Sequence, residues 1–134
     1  TNRYDLPGGS LADGEPLLAA IRREIQEETG LIPTELTQLG ITSFRYPWQF
    51  KQWRMNQHLA VFYRVTRTTG QLAEHVANFD GQDSHGASRV PLHALTEANA
   101  SPLVLKAKAV LLSGQFDPSD QTYPDWTVLD HPVY

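Results

Sequence analysis

The chain has 134 residues, 40% of them hydrophobic and 19% charged, which suits one globular domain with a buried core and leaves no room for two. Eleven Lys and Arg stand against fifteen Asp and Glu, a net charge of −4. That balance argues against a surface built to embrace nucleic acid or anionic lipid. The absence of cysteine excludes a disulfide scaffold, a thiolate zinc site and a cysteine nucleophile. No apolar run approaches the roughly 20 residues that span a bilayer, so the expectation is a soluble, cytoplasmic, single domain over residues 1–134.

Residues 1–9 read as a short strand entering a tight turn: Tyr4 and Leu6 alternate with Asp5, and Pro7-Gly8-Gly9 breaks the pattern. A helix follows. Pro16 suits its first position, Glu15 lies beside its positive end, and Leu17, Leu18, Ile21 and Ile25 form one apolar stripe. Gly30 should close it as a left-handed residue. Leu36 to Phe44 and Gln57 to Thr66 read as strands, the second apolar on both faces and therefore expected in the centre of a sheet. Arg45 to Asn56 reads as a long hairpin loop between them, and Asn78 to Ser88 as a second loop. Arg89 to Leu95 suggests a brief strand running into a turn. Ser101-Pro102 is an N-cap followed by a first-position proline, opening a helix through about Leu112 that Gly114 ends. The tail from about 115 to 134 carries Pro118, Pro124 and Pro132 and is expected to wrap the surface, pinned by Trp126 and Leu129. This order of elements predicts an α/β domain with one mixed sheet between helices.

The first helix carries a charge problem. Glu24, Glu27 and Glu28 fall within an arc about 100° wide by the i, i+3, i+4 rule. They occupy the last two turns, where the helix dipole is negative and carboxylates are disfavoured. Arg22 and Arg23 offset part of the repulsion, and a solvated acidic helix end would need nothing more. A divalent cation would offset much more, and carboxylates with no His or Cys beside them suit a hard ion such as Mg²⁺ or Mn²⁺ rather than zinc.

The residues around the arc favour the cation. Gly9, Glu15, Arg23-Glu24-Ile25, Glu27-Glu28, Gly30 and Leu31 match, with no gap, the spacing of the Nudix box, and Leu6-Pro7-Gly8-Gly9 resembles the usual approach to it, with Tyr4 where Trp is frequent. The chain therefore resembles the Nudix hydrolases. The resemblance implies an α/β/α sandwich with a mixed sheet and Mg²⁺- or Mn²⁺-dependent hydrolysis of a nucleoside diphosphate linked to another moiety. It implies that Glu24, Glu27 and Glu28 hold the metal, joined by the Gly8 carbonyl, that Arg23 orients a glutamate, and that Glu15 supports the loop and helix. A diphosphate repels hydroxide, so the chemistry needs neutralising metal, an acidified water and a base. Glu24 is a candidate base, as are Asp80 and Asp83 on the second loop, where ordinary solvation is the alternative. The family usually places a few tens of residues before the box, so the N-terminal strand region is expected to be short or missing here.

From Leu36 through Ala73 the only formal charges are Arg45, Lys51, Arg54, Arg64 and Arg67, and Tyr46, Trp48, Phe50 and Trp53 interleave with the first three. Aromatic faces stack on bases while cations hold phosphates, so Arg45, Trp48, Trp53 and Arg54 are candidate substrate contacts, with a core or dimer role as the alternative. The expected partner is a nucleotide-type small molecule; RNA is a minority expectation on an acidic domain. The resemblance also admits a homodimer, a catalytically silent domain that binds a nucleotide as a sensor, or another reaction such as isomerisation of an isoprenoid diphosphate.

Overall fold

The computed structural model describes residues 4–50, 53–73 and 86–122, with side chains omitted at 46, 48–50 and 53–56. The expected helix is α1, Leu17–Thr29. Pro16 stands one step earlier than expected, as the N-cap with extended φ and ψ, which suits a residue lacking a backbone donor. Gly30 ends the helix at φ 77°, its N–H bonding the Gln26 carbonyl. A side chain there would face both a left-handed backbone and the Gln71 carbonyl, so glycine is required twice over. The apolar stripe is narrower than its sequence suggests: Ala20, Ile25 and Thr29 are buried, while Leu17 and Leu18 are exposed.

Two long strands follow, β1 over Leu31–Phe50 and β2 over Trp53–Gly70, paired antiparallel. The expected hairpin loop from Arg45 to Asn56 is thus largely ladder: Arg45 pairs with Gln57, Tyr46 with Asn56, Pro47 with Met55 and Phe50 with Trp53. Polar composition suggested a loop, but cross-strand hydrogen bonding overrides a weak β preference. Register shifts flank Pro33 and Pro47, where a missing donor is tolerated.

Gln121–Thr122 forms β3, pairing parallel with Phe44 and Arg45 on the other edge of β1. The described sheet is mixed, in the order β2-β1-β3. β1 is therefore its central strand, not the Gln57–Thr66 segment as expected. The face carrying Leu59 is turned outward, with Leu59 75% exposed, whereas Phe62 lies with Phe44 in the core. An apolar residue on each face does not fix a strand's place when one face is left uncovered.

The expected strand over Arg89 to Leu95 is absent. In its place a 3-10 turn spans Leu92–Ala94, consistent with Pro91 removing a ladder donor. The second helix, α2, runs Pro102–Ser113, with Ser101 as N-cap accepting from Val104 N and Gly114 as left-handed C-cap. Leu103, Leu105 and Ala107 pack on Phe44 and Phe62, while Val104 joins Leu95 and Ala100. Leu6 touches both clusters. Lys106 is buried, bonding the Asp117 carbonyl from 4.8 Å over the Phe116 ring. Tyr4 forms a single parallel bridge to Ala100 rather than a strand. Tail residues Trp126 and Leu129 and most of the second loop, including Asp80, Asp83 and His85, lie outside the described residues. No helix among the described residues is long and apolar enough to cross a membrane.

Candidate active site

The box residues converge on one guanidinium. Arg23 grips Glu15 with two donors, Nε at 2.8 Å and Nη2 at 2.9 Å. Its Nη1 lies 3.0 Å from Glu24 Oε1 and 3.2 Å from Glu27 Oε2. This fork is what arginine supplies and lysine cannot. Glu15 also accepts from Ala12 N, and these bonds hold its carboxyl down at about 2. Glu24 is largely sheltered and Glu27 half open to solvent. The approach loop is equally tight, since a Cβ at Gly9 would overlap the Glu24 carboxylate.

Glu28 is held differently. Gly8 donates its N–H to Glu28 Oε2 at 2.7 Å. Burial, with further repulsion from Glu24, Asp5 and Glu27, nevertheless pushes the Glu28 carboxyl up to about 7. Burial is the larger cause, and the neighbouring carboxylates add to it. Among the described residues no three Asp, Glu or His groups are drawn close enough to enclose a metal ion; Arg23 holds two of the glutamates and the Gly8 amide the third. The donor chemistry still fits a hard divalent cation: Glu24, Glu27 and Glu28 offer carboxylate oxygens, and no ion pair to Glu28 forms among the described residues.

Folding raises the Glu28 pKa above its ordinary value of 4.5, so the contribution of its proton is full below that value and is lost as pH rises to about 7. The melting temperature of the metal-free protein should therefore fall from pH 5 to pH 8 more steeply than that of Glu28→Gln. Mg²⁺ should raise it more at pH 7.5 than at pH 5. Thermal scans of both proteins across that range check this, and parallel wild-type and variant curves would contradict it.

The family model described as NUDIX domain matches residues 1–113. The chain belongs to the Nudix family. No curated protein matches it. Among solved structures it is similar to the mutator MutT protein from Bacillus halodurans, with a TM-score of 0.64 and 17% identity, covering 96% of this chain and 80% of that one. At that identity the likeness establishes the fold alone, an α/β Nudix fold.

The structure joins Glu15, Glu24 and Glu27 through Arg23 and bonds Gly8 to Glu28. Arg45 lies on β1, exposed, between Gln57 and Thr122. Trp48, Trp53 and Arg54 follow near the hairpin end, their side chains outside the described set. Sequence reading missed Asp5 and His58. The Ser101 hydroxyl donates to Asp5 Oδ1, surrounding protein pushes the Asp5 carboxyl up, and His58, stacked on Phe44, is pushed down by its burial. The Ser101 cap was legible, but nothing local announces a bond between residues 96 positions apart.

Proposed function

We propose that this Nudix protein hydrolyses a nucleoside diphosphate linked to another moiety, whether a nucleoside triphosphate, a modified nucleotide or a nucleotide sugar. The observation that carries this reading is the placement of Glu24 and Glu27 on one guanidinium, with Glu28 part-buried on the Gly8 amide beside them. Those glutamates, with the Gly8 carbonyl, would hold Mg²⁺ or Mn²⁺. When bound there, the ion supplies neutralisation of the diphosphate and acidification of a water. Arg23 keeps Glu24 and Glu27 aimed, with Glu15 bracing its fork. Glu24, aimed by its bond to Arg23, is the box glutamate that would take a proton from the water that attacks phosphorus. Asp80 and Asp83 are the other candidate bases. Arg45 and Arg54 would meet phosphates and Trp48 and Trp53 a base, a reading supported by the one-sign charge of that stretch.

The test is phosphate and pyrophosphate release from a panel of nucleotides and nucleotide sugars with and without Mg²⁺. Turnover of at least one compound, abolished by chelator, is expected. Tight binding across the panel with no turnover would replace the reading with a nucleotide sensor.

A further inference from the structure

The segment leading into the box is tied to the residues that open α2 before it reaches the carboxylates. Tyr4 N donates to the Asn99 carbonyl at 2.7 Å, and Ser101 N to the Tyr4 carbonyl at 2.9 Å. The Ser101 hydroxyl donates to Asp5 Oδ1 at 2.7 Å, and Leu6 N donates to the same oxygen at 2.9 Å. Ser101 is at once the N-cap of α2, accepting from Val104 N at 3.3 Å. One hydroxyl can donate once and accept twice, so the two roles are compatible. Leu6 sets the depth of the segment by packing into both apolar clusters. The Asp5 carboxylate links its direction to the start of a helix. Two residues beyond Leu6, the Gly8 amide meets Glu28.

We infer that Asp5 is a positioning residue for the carboxylate site, locking the Tyr4–Gly8 segment to the N-terminus of α2 so that α2 determines where the Gly8 amide holds Glu28. Leu6 and the Tyr4 backbone already anchor the segment. What the carboxylate adds is a charge-assisted bond of fixed direction to a capping hydroxyl that is itself buried. The inference rests on the reading of Glu28 as a metal-holding group.

The test uses the full chain as Asp5→Ala, Asp5→Asn, Ser101→Ala, Ser101→Thr and Glu28→Gln, with Thr66→Ala, which loses its bonds to Glu35 across the β1–β2 ladder, as a destabilised control outside α2 and the box. Two quantities are read: hydrogen-exchange protection of the Gly8 amide without metal, and Mn²⁺ affinity by calorimetry. Asp5→Ala and Ser101→Ala should each weaken Mn²⁺ binding about 10-fold, the scale on which groups behind metal ligands act. Both should lower Gly8 protection, and their double variant should lose little more than either. Asp5→Asn keeps the acceptor for both bonds and Ser101→Thr keeps the hydroxyl, so both should stay within about threefold of wild type on the same scale. Thr66→Ala should melt earlier with unchanged affinity. Unchanged Gly8 protection in Asp5→Ala, or additive losses in the double variant, would overturn the inference. If Asp5→Ala does not fold, Ser101→Ala against Ser101→Thr decides it. Unchanged Mn²⁺ affinity in Glu28→Gln would instead overturn the reading of the site.

Discussion

Replacing Glu27 and Glu28 together by glutamine should abolish metal-dependent turnover while leaving the protein folded. Glutamine keeps the volume of each side chain and an oxygen that can accept the Gly8 N–H now bound to Glu28 Oε2. It removes two negative charges from an arc where Arg23 is the guanidinium in contact. A metal's stabilisation of transition-state charge is worth several kcal/mol, and each 1.4 kcal/mol is tenfold, so a loss of roughly a thousandfold or more in kcat is expected. Stability should move the other way. The carboxyl of Glu28 is raised by burial and by its acidic neighbours, so its neutral replacement relieves strain in the metal-free protein at neutral pH. Activity assays beside thermal melts check both halves. Equal turnover by the variant would mean that the acidic arc is a solvated helix end.

Arg23→Ala should produce the second largest loss, and Arg23→Lys should rescue little of it. The guanidinium meets Glu15, Glu24 and Glu27 at once, the first through two donors. An ammonium is a point charge that cannot span that fork. Groups that orient metal ligands cost about 10- to 100-fold when removed, and a fall of that size in Mn²⁺ affinity is expected. The acid limb of stability should change with it. Arg23 holds the Glu15 carboxyl at about 2, so the stabilisation is complete above the ordinary value of 4.5 and disappears as pH falls through 2. Arg23→Ala should be flatter than wild type between those limits. Calorimetric Mn²⁺ titrations and melting curves at acid pH test the two effects, and full rescue by lysine would refute the fork.

Much of the site is legible in the sequence because it is local. The helix spacing from Arg23 to Glu28, the Gly30 terminus and the Ser101-Pro102 start all depend on neighbours within a turn or two, and the structure places them as read. The sheet is less legible. Whether Arg45 to Asn56 forms a ladder depends on pairing partners, and whether Leu59 faces core or solvent depends on what covers the sheet. Neither is written in alternation alone. Asp5 is invisible for the same reason: its partner is Ser101, 96 positions along the chain.

The buried Lys106 acquires a different meaning beside these contacts. Its ammonium bonds the Asp117 carbonyl just before Ser119 and Asp120, which accept from Thr42 and Ser43 of β1. α2 is therefore fastened to the box approach at its start and to the central strand through its middle. A thermal fluctuation that lifts α2 cannot stay local, because it must release the Gly8 segment and the β3 edge together. The box approach and the sheet edge then belong to one cooperative unit of opening, and the lifetime of the assembled carboxylate cluster is set by how often that unit opens.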